Sequence, residues 1–333
     1  MARICTIIAT SHSPFLFKPT EWWNAVRDAR PRTAHNPVDG DANNALKSTR
    51  TRAAMAGLRE IFQRARPDVA IVFGDDQEEQ FSLANLPAFA VYAGADFEGY
   101  RELAYAGVPG SRELLPRSAE NWVKVPARPD LAHSLLAGLQ RCGFDPAFML
   151  ALPNETHGMG HAFMRPICYL TAARFDVAVV PVMVNCFYAP QPTAARCVAA
   201  ARAIRRTIES WPGDMRVAVI GSGGLWHTPG APDAYIDEEF DRAILDSLKE
   251  GDADRMADYF DRWRPSPERA HLRCYESFSG GTGLSGGIGS GAGETRNWIM
   301  AAAVADRPGV VVDYVPVYAS PCGMAFAHWN CNE

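Results

Sequence analysis

A rhythm constrains this chain more than any other feature. Short apolar runs, several rich in β-branched residues, recur between longer stretches with apolar residues at helical spacing. Residues 4–9, 69–74, 89–93, 147–152, 177–184, 217–221 and 310–318 read as strands, the last of them closing the fold. Residues 45–64, 131–141, 194–211, 238–248 and 296–305 read as helices, the third stopping at Pro212-Gly213. Strands alternating with helices of this length predict an α/β fold with a mixed or mostly parallel central sheet flanked by helices. No repeat or linker interrupts the pattern, so the 333 residues read as one domain. Two stretches read as long loops, 15–44 and 277–293, the second with eight glycines between Gly280 and Gly293. That glycine run lacks a GK[ST] step and a strong preceding strand, so it reads as a loop or a helix entry and not as a phosphate cradle. Trp22 and Trp23, inside the first loop, are candidates for a lid, a subunit contact or core.

Composition closes off several classes. Apolar residues make up 47% and charged residues 21%, which suits a folded chain and not a disordered one. The net charge of −5 argues against a nucleic-acid partner. No apolar run approaches the roughly 20 residues that cross a bilayer, so no membrane partner is expected. The opening MARICTIIATSHSPF lacks the basic start, apolar core and cleavage site of a signal peptide. None of the eight cysteines sits at CxxC spacing, which argues against a zinc ribbon. A cytoplasmic protein with reduced thiols is the expectation.

Four expected strands end in polar clusters. These are Thr10-Ser11-His12-Ser13, then Gly74-Asp75-Asp76-Gln77-Glu78-Glu79, then Asn154-Glu155-Thr156-His157 with His161 beyond it, then Gly221-Ser222-Gly223-Gly224-Leu225-Trp226-His227. Singly, each reads as well as a capped turn with a hydrogen-bonded histidine. Together they predict one site, because ligands in open α/β sheets bind outside the carboxyl ends of the strands. Two histidines and a carboxylate on one face make a site for non-haem Fe(II) with open positions. Glu239, in Glu238-Glu239-Phe240-Asp241, is a candidate carboxylate and equally a helix-start acid favoured by the macrodipole.

With these motifs in order, the chain resembles the class III extradiol ring-cleavage dioxygenases, the protocatechuate 4,5-dioxygenase β-subunit superfamily. The resemblance runs from SHSPF at 11–15 to ETRNWI at 294–299. It implies an α/β fold assembled as dimers or larger homo-oligomers, Fe(II) as cofactor, and O2 and a catechol-type aromatic as substrates. The ring would be cut beside the two hydroxyls. It further implies His12 and Glu239 as iron ligands, His227 in GSGGLWH as the proton-transfer residue, and His157 in ETHG as a further active-site histidine. Arg165 and Asp76 are the expected substrate contacts, Arg165 through a substrate carboxylate.

The chain departs from the resemblance at one position. Where the family places its second iron-binding histidine, this sequence reads GDDQEEQF, with Gln77 at the histidine's place. The alternatives are an iron site of His12, Gln77 and Glu239, a site completed by Asp76 or His35, or a site without iron. Asp75 and Asp76 read as turn caps or as partners behind His12. The alternative functions are non-oxidative carbon–carbon cleavage by a Lewis-acid metal on the same scaffold, or a metal-free ligand-binding relative.

Overall fold

The computed structural model describes residues 2–30, 33–102, 104, 113–228, 233–272 and 291–331. In chain order the elements are β1 Ala2–Thr10, α1 Thr20–Ala29, α2 Asp41–Ala65, β2 Val69–Gly74, β3 Phe89–Tyr92, β4 Asp96–Tyr100, β5 Trp122–Pro126, α3 Pro129–Arg141, β6 Ala147–Met149, α4 His161–Leu170, β7 Ala178–Val184, α5 Ala194–Glu209, β8 Met215–Ser222, α6 Glu238–Glu250, α7 Ala253–Arg262, α8 Thr295–Ala305, β9 Val310–Val317 and β10 Cys322–Trp329.

Eight strands form one sheet in the order β6-β3-β7-β2-β8-β1-β10-β9. Its centre, β7-β2-β8-β1, is parallel throughout. Antiparallel pairs join β3 to β7, β10 to β1 and β9 to β10. Both faces are covered, so the central strands are apolar without alternation. β2 is buried along its whole length. Its Val69, Ile71 and Phe73 enter one core and its Ala70 and Val72 the other, as the two-residue period requires. The expectation of a mixed, mostly parallel sheet between helices therefore holds. No helix among the described residues is long and apolar enough to cross a membrane.

Two expectations fail in the fold. The stretch 15–44 is not one long loop: Thr20–Ala29 is helical, with Trp23 and Val26 three residues apart on its buried face. Trp23 is core, its Nε1 donating to the Phe15 carbonyl at 3.0 Å, and Trp22 is half-buried with its ring edge-on to Phe15. A ten-residue helix opening at a proline leaves too short a period to read. The second failure is the closing strand, which is β10 and not β9. Its CGMAFAHW sequence is dominated by small residues, which weakens the β-branched signal. Gly323 explains part of that choice, since a Cβ there would collide with the Asp241 carboxylate. Most of the glycine-rich stretch 277–293 lies outside the described residues; Gly291–Glu294 form a 3-10 turn entering α8.

Candidate metal centre

Three neighbouring strands end side by side. Thr10 of β1 is level with Ser222 of β8, and Gly221 of β8 with Phe73 of β2. The residues that follow each end are therefore thrown together at the carboxyl edge: His12 after β1, Asp75 and Gln77 after β2, His227 after β8. α8 docks beneath this edge. Asn297 Nδ2 donates to the Ser222 carbonyl at 2.8 Å and Trp298 Nε1 to the Gly223 carbonyl at 2.6 Å. Every residue of α8 is buried. Trp298, Ile299 and Met300 each contribute roughly 1.5–3 kcal/mol by leaving water. The helix start is thus fixed against the strand ends, and it carries Glu294.

Glu294 is the centre of the cluster. It is fully buried, and its Oε2 lies 3.5 Å from His12 Nε2 while its Oε1 lies 3.3 Å from His227 Nε2. Gly224 N donates to Oε2 at 2.7 Å. Gly223, at φ 107°, has no room for a side chain against the same carboxylate. Gln77 Nε2 bridges the two acids, 3.1 Å from Asp75 Oδ2 and 3.2 Å from Glu294 Oε1. His12, Asp75 and Glu294 each bring one ligand atom within 4.8 Å of the others, and all three are buried.

Hydrogen bonding fixes the tautomer of His12. The Ser222 hydroxyl spends its proton on the Ala162 carbonyl at 2.5 Å, so at 2.9 Å it accepts from His12 Nδ1–H. His12 Nε2 is then a lone pair facing Glu294. Burial, against the attraction of Glu294, lowers the His12 imidazole to about 3, so it is neutral. Asp75 adds to the imbalance. Its Oδ1 is buried and accepts no hydrogen bond from the described residues. Burial, then the nearby Glu294 and Glu79 charges, push its carboxyl well above the usual range. A lone pair, an orphaned carboxylate oxygen and a second carboxylate converging on one point are the donor set of a divalent cation, so the residues present fit a metal.

Burial alone would raise the Glu294 carboxyl too, yet it lies below the usual range. With His12 neutral, His227 and the Gly224 amide hold it there. His227 mirrors this: burial would lower its imidazole, but Glu294 outweighs burial and raises it, helped by the Leu225 carbonyl that Nδ1 meets at 3.0 Å. Nε2 is therefore the nitrogen turned to the cluster.

A second group adjoins the first. Glu79, buried, has its Oε1 2.7 Å from His161 Nδ1 and 3.6 Å from His157 Nε2. Burial would raise the Glu79 carboxyl, but His161, through its ring and its backbone amide, and His157 outweigh it and hold Glu79 down to about 2. The His161 ring stands edge-to-face with His12, centroids 4.6 Å apart.

His12, Gln77 and His227 thus meet at one place, with His157 behind Glu79. Glu239 does not join them. It lies in the first turn of α6 and lines a separate cavity with His35, Arg242, Arg255 and Arg269. The carboxylate between His12 and His227 is Glu294. Both acids open helices, where the dipole favours either, and only the docking of α8 decides between them. His35 sits in that same separate cavity, 6.1 Å from the His271 ring. Asp76 caps its own turn, Oδ1 accepting from Gln80 N at 2.8 Å and Oδ2 from Phe81 N at 3.0 Å. Arg165 braces the site's backbone, Nη1 donating to the His12 carbonyl at 3.0 Å and Nε to the Glu102 carbonyl at 2.8 Å. Sequence reasoning missed Glu294; it placed Glu79 and His161 among the strand-end clusters but gave neither a role. The signal for Glu294 was an acid at the mouth of a helix that is apolar throughout from Trp298 to Ala305. From its placement, Glu239→Ala should leave metal content and turnover within about twofold of the parent, checked by metal analysis and oxygen uptake; a large loss in either would return Glu239 to the site.

The chain matches known proteins along most of its length. Residues 31–274 match the family model described as the catalytic LigB subunit of aromatic ring-opening dioxygenase. That span holds Asp75, Gln77, Glu79, His157, His161 and His227; His12 and Glu294 flank it. The chain is 34% identical over 108 residues to a gallate dioxygenase of Pseudomonas putida, covering 32% of this chain and 30% of that one. It is 25% identical over 201 residues to a 2,3-dihydroxyphenylpropionate/2,3-dihydroxicinnamic acid 1,2-dioxygenase of Photorhabdus laumondii, covering 60% and 56%. A Mycobacterium enzyme of the same description is 27% identical over 203 residues, again covering 60% and 56%. The chain thus spans less than two thirds of the length of each of these relatives. The family match covers well over half of the chain, so this protein belongs to the family of catalytic LigB subunits of aromatic ring-opening dioxygenases.

Proposed function

We propose that this protein opens the ring of a catechol-type aromatic with O2, using ferrous iron held by His12, Asp75 and Glu294. The observation that carries the reading is the convergence of a neutral His12 Nε2 lone pair on two carboxylates, one with an orphaned oxygen. Bound there, iron would supply the redox chemistry that lets O2 react with an aromatic ring. The chain's own residues do the rest. His12 is oriented by Ser222, and its backbone is braced by Arg165. Gln77 ties Asp75 to Glu294 through its amide nitrogen, so both carboxylates keep one orientation. His227 takes a substrate hydroxyl proton on Nε2 and returns it later, its ring held by the Leu225 carbonyl on Nδ1. Glycine at 291 lets the chain lie flat on the His227 ring, where any Cβ would collide. The test is anaerobic metal loading followed by oxygen uptake against a panel of catechols and aromatic acids. Metal binding with no oxygen uptake on any of them would sink the dioxygenase reading.

The donor set also supports a second reading. One imidazole and two carboxylates make an oxygen-rich site, which suits a Lewis-acid metal and carbon–carbon cleavage without O2. Oxygen uptake separates the two. Gln77 is informative here, because imidazole suits Fe(II) better than a neutral amide. Gln77→His should bind metal as tightly as the parent or more so, yet turn over more slowly, since it loses the bridge between Asp75 and Glu294. Metal titration beside turnover checks this, and full native activity with tighter iron would show that the bridge is dispensable.

A further inference from the structure

We infer that Glu79 is a positioning residue for ring opening: it fixes His161 as the Nδ1–H tautomer and leaves Nε2 as a second proton acceptor beside His12. The inference rests on the ring-opening reading above, in which only His227 moves protons.

Three observations carry it. First, the Glu79 carboxylate grips His161 at two points. Its Oε1 is 2.7 Å from the ring Nδ1, and both oxygens meet the His161 backbone amide, at 3.3 and 3.2 Å. A carboxylate that is ionised only accepts, so Nδ1 must carry the hydrogen. In neutral imidazole the other nitrogen is then the acceptor. Second, the grip is built in. Glu79 is 3% exposed, and Gly160 has no space for a Cβ because Glu79 Oε2 occupies it. A side chain at 160 and this carboxylate position exclude each other. Third, the oriented ring lies at the site. His161 stands edge-to-face on His12 and opens α4, whose second residue, Ala162, accepts the Ser222 hydroxyl that orients His12. The ring retains 15% of its exposure while Glu79 retains 4%, so the histidine is the member of the pair that a ligand can reach. His227 meets Glu294 Oε1 while His12, against which His161 stands, meets Oε2, so the two histidines reach the centre from different elements.

The test separates this inference from the ring-opening reading. Histidine-selective 15N NMR of the 333-residue chain, read through two-bond couplings, assigns the tautomer of His161 with no substrate present. The parent should show a protonated Nδ1 and bare Nε2. Glu79→Gln, whose amide both donates and accepts, should raise the Nε2–H tautomer. An unchanged tautomer would overturn the inference. With the catechol that the parent turns over fastest, Glu79→Gln should lower kcat roughly 10–100-fold, the range seen when a histidine bound to a metal loses the partner behind it, with KM and metal content within about twofold. The same change in a His161→Ala background should cost almost nothing more. A full additive loss there would show that Glu79 acts by another route. Glu79→Asp should recover part of the rate. If Glu79→Gln does not fold, Gly160→Ala displaces the carboxylate without removing it and should shift tautomer and kcat the same way; no shift would overturn the inference. A parent that opens no catechol would sink the ring-opening reading, and the NMR comparison would still decide the Glu79–His161 pairing.

Discussion

Glu294→Gln should cost the protein its metal. The substitution keeps the side chain's size but removes the charge that two histidines surround, at 3.5 and 3.3 Å. Losing a partner one step removed from a metal already costs about 10–100-fold in affinity or activity. Losing one of three ligands should exceed the upper end of that range. Metal titration under anaerobic conditions should show a loss of more than about 100-fold, with turnover falling at least as far. Stability should respond through linkage as well. A metal present at 100 times its Kd stabilises the fold by about 2.7 kcal/mol, so adding metal should raise the parent's melting midpoint and leave that of the variant unmoved. A variant that holds metal like the parent would remove Glu294 from the site.

His227→Ala should act differently, keeping metal and fold while turnover drops by roughly 10²-fold or more, a typical general acid–base contribution. Its Nε2 faces Glu294 and its Nδ1 is spent on the Leu225 carbonyl, so the ring has one nitrogen to offer. The side chain keeps 14% of its exposure and makes its polar contacts through one carbonyl and the Glu294 carboxylate, which is why the fold should survive. Single-turnover rates beside metal content and the melting midpoint separate the outcomes. Unfolding would make His227 structural, and normal turnover would move the proton-transfer role to another histidine. Paired with Glu294→Gln, the variant distinguishes a residue that holds the metal from one that works on what the metal holds.

The sequence by itself determined the alternation of strands and helices. It also determined that His12, Gln77 and His227 sit just past strand ends. Apolar periodicity is a local property, and the rule that places ligands at strand carboxyl ends needs only the strands. Carboxylates carry no such local mark. Glu239 and Glu294 both begin helices and both suit the dipole there. Which of them meets His12 follows from the docking of α8 under β8 through Asn297 and Trp298, contacts between residues 75 positions apart. The same holds for Asp75 against Asp76. Neighbours in sequence, they divide the work because one turns into the cluster while the other accepts the amides of Gln80 and Phe81. Glu79 and His161, 82 positions apart, became a pair only when β2 and α4 were packed together. Chain order fixed which side chains stood at the edge of the sheet; the tertiary packing decided which of them faced one another, because burial and hydrogen-bond geometry act through space and not along the chain.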